Sequence, residues 1–177
     1  MKRILLISLL ALVSFAQAQK LPSEPVNGFA FPLGSKVVIK LVPTDSVNFD
    51  YSVLAIERYT ETVDIRKVDA LFSPNGQDST IVLYFCIGTH GETAQEKDRN
   101  KQVLLIMKSY AKEGLNYTSE IQREEGGAFL KTSNVGLSPN VIGIETWPYM
   151  IRIIGLRTFK KVSPTATPTP TAVSAER

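Results

Sequence analysis

The sequence predicts an all-β fold: a single antiparallel β-sandwich of jelly-roll or immunoglobulin-like type, with about seven to nine strands. Short apolar runs alternate with polar residues at a period of two, and clusters of Gly, Pro, Asn, Asp and Ser separate these runs. No long stretch carries a convincing helical stripe. A β-barrel is one alternative, and an α+β fold with one helix near residues 94–113 is another.

The amino-terminal residues are predicted to be removed before folding. Residues 1–18 have the pattern of a signal peptide, because Lys2 and Arg3 precede an apolar run over residues 4–15 and Ala16-Gln17-Ala18 forms a small-residue cleavage site. No cysteine stands at the cleavage site directly after the run, so we do not expect a lipoprotein. No later apolar stretch has the length of a membrane-spanning helix. We therefore expect a soluble, exported protein, periplasmic or secreted, with no integral membrane segment in the mature chain.

The carboxyl-terminal residues are predicted to be a disordered tail. Residues 164–177 consist mainly of Pro, Thr, Ala and Ser, with Val173 as the only large aliphatic residue. Such a segment cannot bury enough apolar surface to offset the entropy lost on ordering. The sandwich domain is accordingly assigned to residues 19–163, which is an ordinary size for one domain.

The charge of the mature chain gives no sign of nucleic-acid binding. The chain has 20 Lys and Arg against 17 Asp and Glu, and removing Lys2 and Arg3 with the signal peptide leaves 18 against 17. A nucleic-acid-binding surface needs clustered basic residues, which a near-neutral chain of this kind does not display. The partners left open are proteins and glycans.

The first strand predictions follow from clean alternation. The stretch "KVVIKLV" (36–42) places Val37, Ile39 and Leu41 on one face. The stretch "VNFDYSVLAI" (47–56) alternates in the same way, with every second residue from Val47 to Ala55 on the apolar face. The intervening "PTDS" has the composition of a turn. A hairpin of two half-buried strands is predicted here.

A central strand and a hairpin turn are predicted next. Asn75-Gly76 is a pair that favours tight hairpin turns. The stretch "STIVLYFCIG" (79–88) is apolar on both faces and rich in β-formers, which is typical of a strand covered on both sides.

Residues 103–114 fit two patterns. Val103, Ile106, Met107 and Tyr110 would form a helical stripe, and Thr93 with Glu96 would form a capping box. Residues 93–102, however, contain only one apolar residue to pack such a helix, and the sequence after Gly114 alternates as a strand. Two strands joined by a short turn are the more economical interpretation. Further strands are predicted at residues 127–133 and 149–159, with a short edge strand at residues 140–146.

Three residues are candidates for a binding site: His90, Trp147 and Tyr149. His90 opens a long polar loop over residues 89–102, and long loops of this kind are often functional, although a solvated connection is the simpler interpretation. Trp147 and Tyr149 are two residues apart, so on a strand they would share a face and could form an exposed aromatic platform or a plug in the core.

No catalytic residue, metal site or cofactor is predicted. Cys86 is the only cysteine and lies in the doubly apolar run, so we expect an inert core thiol rather than a nucleophile paired with His90. The acidic residues, Glu145 among them, are scattered, and most of them are expected on solvated faces. The chain is therefore interpreted as an exported, non-enzymatic module that binds a protein or a glycan. The alternative is a secreted or periplasmic hydrolase that uses His90 with loop carboxylates.

Overall fold

The structure, a computed structural model, describes residues 21–22 and 24–162. The predicted signal peptide and the predicted tail lie outside these residues. The described residues form ten strands, and a 3₁₀ helix (Ile65–Leu71) and one α-helix, α1 (Ala94–Arg99), lie between them. The strands are β1 (Gly28–Pro32), β2 (Ser35–Pro43), β3 (Asn48–Arg58), β4 (Val63–Asp64), β5 (Thr80–Thr89), β6 (Gln102–Ser109), β7 (Leu115–Gln122), β8 (Leu130–Thr132), β9 (Ile142–Trp147) and β10 (Ile153–Lys161).

The all-β prediction is confirmed. The strands form one sheet in the order β8-β7-β10-β3-β2-β5-β6-β9, with β1 added to β10 and β4 added to β5. Each pairing between these strands is antiparallel except that of β4 with β5. The sheet curls into a half-barrel, an architecture within the predicted sandwich and barrel classes. Within the described chain, no helix is both long and apolar enough to cross a membrane.

The sheet has apolar residues on both faces. The larger core, which we call the inner core, fills the inside of the curl and includes Phe31, Ile39, Phe85 and Phe159. The smaller core, which we call the outer core, lies outside the curl, where the 3₁₀ helix covers the central strands. Strand β5 contributes to both cores, as its doubly apolar sequence predicts, and it lies between β2 and β6. This double burial makes the centre of the sheet a rigid base for its loops and edges.

A β-bulge changes the predicted face of β3. The register between β2 and β3 shifts after Val38, so that Val38 pairs with Ala55 and Ile39 pairs with Val53. The alternation beyond the bulge is therefore reversed, and Ile56 packs against the inner core where Ala55 was predicted. Val47, the first residue of the predicted apolar face, precedes the strand and is exposed.

The region around residue 100 resolves the ambiguity between helix and strand. Residues 103–109 belong to β6, and Val103, Leu105 and Met107 face the inner core. The capping box of Thr93 and Glu96 is formed, but the helix it starts ends at Arg99. The strand prediction is confirmed, and the predicted polar loop contains this short helix.

The predicted hairpin turn at Asn75-Gly76 is wrong. These residues lie in the connection between the 3₁₀ helix and β5, and the short strand β4 before the helix runs parallel to β5. A two-residue turn cannot join parallel strands, which need a crossover connection. The 3₁₀ helix supplies that crossover.

Candidate functional site

The predicted site residues lie in different environments. His90 is exposed immediately after β5, where its backbone carbonyl accepts a hydrogen bond from Asn100 Nδ2 at 3.0 Å. Trp147 ends β9 and is 5% exposed, whereas Tyr149 lies beyond the strand and is 39% exposed. The two aromatic side chains therefore do not form one exposed pair. A role of these residues in binding stays a prediction.

The loop that begins at His90 is fixed to the 3₁₀ helix by ion pairs. Asp64 lies 3.0 Å from Lys97 Nζ and 3.3 Å from Arg66 Nε, and Arg66 also pairs with Glu92. The guanidinium of Arg66, followed by the ammonium of Lys97, holds the pKa of Asp64 well below its usual range. Such surface pairs stabilise little, but a network of them defines where the loop lies.

A cleft at one end of the half-barrel is the strongest candidate for a binding site. We call it the end cleft. It has a volume of about 460 Å³ and lies between the β5–β6 end and the segment that follows β9. Its lining is Thr62, Ile87, Lys101, Gln102, Val103, Pro148, Tyr149 and Met150. This volume lies in the range of small-ligand or side-chain pockets, and the lining is mostly apolar with a few polar groups.

The end cleft carries exposed apolar side chains. Met150 is 59% exposed, next to Tyr149. The guanidinium of Arg123 lies 4.5 Å from the centre of the Tyr149 ring and holds one face of that ring. Lys101 pairs with Asp98 at 2.6 Å, so its stem borders the cleft while its charge is partly neutralised. Tyr, Met and Arg are the residue types enriched in protein interfaces.

The Cys86 thiol is chemically shielded. Cys86 is 1% exposed in the outer core, and burial raises the pKa of its thiol to about 12. A thiolate is the reactive form, so a thiol that stays protonated near neutral pH is a poor nucleophile.

We expect Cys86 to resist a water-soluble thiol reagent in the native protein and to react fully after denaturation. Its burial between β5, β6 and the 3₁₀ helix leaves the reagent no access. Mass spectrometry of native and denatured samples measures the difference. Fast labelling of the native chain would contradict this burial.

The structure also contains a buried acid that sequence analysis did not single out. Glu145 is 7% exposed, in contrast to the solvated position predicted for most of the scattered acids. It lies on the inner face of β9, and its Oε1 accepts a hydrogen bond from the Tyr117 hydroxyl of β7. Oε2 has no hydrogen-bond partner within the described chain. Burial raises the pKa of Glu145 to about 7, against the opposing effects of the Tyr117 hydroxyl and the Val135 backbone.

The pattern of β9 contained a signal for this burial. Glu145 is two residues from Trp147 and two from Gly143, so alternation places it on the same face as Trp147, for which a plug in the core was one of the two predicted roles.

Comparisons with known proteins give no relatives for this chain. No family model matches it, and neither a curated protein nor a solved structure gives a significant match. Residues 21–22 and 24–162 contain no group of three or more His, Cys, Asp or Glu side chains placed to hold a metal ion.

Proposed function

We propose that this chain is an exported, non-enzymatic module that binds a protein partner through the end cleft. The observation that carries the proposal is the pair of adjacent exposed side chains, Tyr149 and Met150, at the mouth of a mostly apolar cleft. An apolar or aromatic side chain of a partner can fill such a cleft and exclude water from it.

A protein partner fits the end cleft better than a glycan. Sugar sites usually offer an open aromatic face together with several polar groups, because a sugar ring stacks and hydrogen-bonds at once. Here Arg123 covers one face of Tyr149, and Met150 adds a flexible thioether that adapts to protein surfaces. A glycan is the competing outcome of the experiment below.

The hydrolase alternative gains no support from the surroundings of His90. Glu92 pairs with Arg66, and Glu96 accepts hydrogen bonds from the backbone of Glu92 and Thr93. These carboxylates are therefore engaged in fixing the loop, and they are the acids closest to His90 in sequence.

Site-specific photo-crosslinking in the native host tests the partner. A photo-reactive residue at position 150 should yield one dominant protein adduct, and the same residue at Leu54, a 47% exposed control on β3, should not. Tyr149→Ser in the same background should weaken the adduct. Equal adducts at both positions would contradict the proposal. Binding to a glycan array that depends on Tyr149, without a protein adduct, would assign the cleft to sugars.

Export is tested separately, since it rests on residues 1–18. The mature protein should be found in the periplasmic or culture fraction with Gln19 as its first residue, because peptidase cleaves after small residues at the last and third-last positions of the signal. Intact-mass analysis of the fractions measures this. A chain that keeps Met1 in the cytosol would remove export from the proposal and leave the end cleft unaffected.

A further inference from the structure

The half-barrel has an incomplete side between β9 and β7–β8, which we call the seam. Strand β9 pairs only with β6, and within residues 24–162 its second edge makes no backbone hydrogen bond to another segment. Two side-chain hydrogen bonds cross the seam instead: the Tyr117 hydroxyl donates to Glu145, and Trp147 Nε1 donates to Thr132 Oγ1 at 3.2 Å. Because whole side chains are needed to cross it, the seam is wider than the ~4.8 Å between paired strands.

A cleft opens along this free edge. It has a volume of about 320 Å³ and is lined on one side by residues 133–135 and on the other by β9, from Ile144 to Trp147. The first wall is attached to β7 rather than to β9. Asn134 Nδ2 donates to the Tyr117 carbonyl at 2.7 Å, and Leu137 exchanges two backbone hydrogen bonds with Leu115 at 2.8 Å. Within the described residues, no backbone-to-backbone hydrogen bond joins this wall to β9.

The seam also contains a buried polar atom without a hydrogen-bond partner in the described chain, Glu145 Oε2. A buried acceptor that lacks a donor carries a cost that a ligand can remove. None of the described residues that line the cleft is basic, so this lining places no cation beside the carboxyl group of Glu145.

We propose that the seam binds an extended segment of a partner protein, which adds as a strand to the free edge of β9 and brings a lysine ammonium to Glu145. Backbone hydrogen bonds along an open sheet edge give affinity to this kind of recognition, and a side-chain pocket gives it specificity. A lysine suits the pocket because its long apolar stem can pass the wall of residues 133–135 and its ammonium has three donors. This site is independent of the end cleft and of the proposal made for it.

The exposed residues beside the seam fit such a guest strand. Val135 is 49% exposed at the cleft, and Val141 is 56% exposed just before β9. Residues of the guest strand that point away from Glu145 can pack against these valines, since neighbouring residues on a strand face opposite ways. The guest is thus an alternating segment, with β-branched residues on the outward face and a lysine on the inward face.

Synthetic peptides test the proposal, with Trp147, the only tryptophan of the chain, as the reporter in the seam. The probes are capped peptides of alternating Thr and Val with one central Lys, and matched peptides with Gln in its place. The Lys peptide should change Trp147 emission and bind ~10-fold more tightly than the Gln peptide at pH 8, because an ionised carboxylate strengthens the hydrogen bond to the ammonium. At pH 5.5, where Glu145 is protonated, the two affinities should converge.

Two variants separate the seam from general charge effects. Glu145→Gln should remove the preference for the Lys peptide at pH 8, and Glu57→Gln, on the exposed surface of β3, should keep it. Circular dichroism and melting temperature show whether the Glu145→Gln variant is folded, and the comparison of the two peptides on the unchanged protein needs no variant. Three results would overturn the proposal. They are equal binding of both peptides at pH 8, no binding of either peptide, and a dimer in sedimentation that excludes the peptides.

Discussion

Raising the pH from 5 to 8 is expected to lower the free energy of unfolding by about 2–3 kcal/mol, because Glu145 ionises inside the protein. Its pKa in the folded chain, about 7, lies above the value of 4.5 expected for the unfolded chain. Between these two values the folded chain binds more protons than the unfolded chain. The folded state is therefore stabilised by acid in this window, and stability falls as the pH rises through 7.

Other acids should not obscure this dependence of the free energy of unfolding on pH. Five carboxyl groups have pKa values below their usual ones, because each accepts hydrogen bonds or pairs with a cation. They belong to Asp45, Asp64, Glu96, Asp98 and Glu113. Their contribution to stability is lost only as the pH falls below about 4.5, which is the range where unfolded carboxyl groups gain protons. Urea denaturation at several pH values between 5 and 8 therefore isolates Glu145.

Glu145→Gln is the decisive variant for this prediction. An amide keeps the shape of the carboxyl group and cannot ionise, so the variant should show nearly constant stability between pH 5 and 8. His90→Gln, which changes an exposed residue at the start of the loop, should retain the slope of the unchanged protein. If the stability of the Glu145→Gln variant still falls between pH 5 and 8, another group is responsible and Glu145 is hydrated.

The sequence predicted the strands best where one local pattern decided the structure. The run from Thr80 to Thr89 could be assigned because apolar residues on both faces are incompatible with an edge or a surface strand. The bulge in β3 could not be assigned, since it depends on how β2 pairs with its neighbour rather than on the residues near Leu54. The 3₁₀ helix was missed for a similar reason. Residues 65–71 show no helical periodicity in sequence, and packing against the outer core holds them in place.

The candidate sites were harder to predict, because they depend on residues distant in sequence. Tyr149 was identified as an aromatic residue near a strand end, but the end cleft also needs Thr62 and Lys101, which only the curled sheet brings to it. The hydrogen bond between Tyr117 and Glu145 joins residues that are 28 positions apart in the sequence. The alternation of β9 gives the face of Glu145 but not the partner that lies opposite it. Long-range pairing of this kind follows from the topology of the sheet.

Trp147→Ala is expected to lower the free energy of unfolding by about 3–5 kcal/mol, because it empties a large volume in the inner core. Trp147 is 5% exposed, packs with the inner core at the end of β9, and loses its hydrogen bond to Thr132 in the variant. The backbone of β9 would also lose a side chain that crosses the seam. Urea denaturation should show this loss as a lower midpoint, with an unchanged dependence of the free energy of unfolding on urea concentration.

Tyr149→Ala is the matched control for this cavity. Tyr149 is exposed, and its stacking with Arg123 lies at the surface, so its removal should change stability by no more than about 0.5 kcal/mol. In the unchanged protein, the emission of Trp147 should be blue-shifted and resistant to quenching by iodide. Emission like that of free indole, together with equal stability of the two alanine variants, would place Trp147 at the surface and remove it from the seam. The expected result is blue-shifted emission, with a large loss of stability for Trp147→Ala and not for Tyr149→Ala. Of the two aromatic residues, Tyr149 is then the one available to a partner, because its ring is exposed and held in position by Arg123.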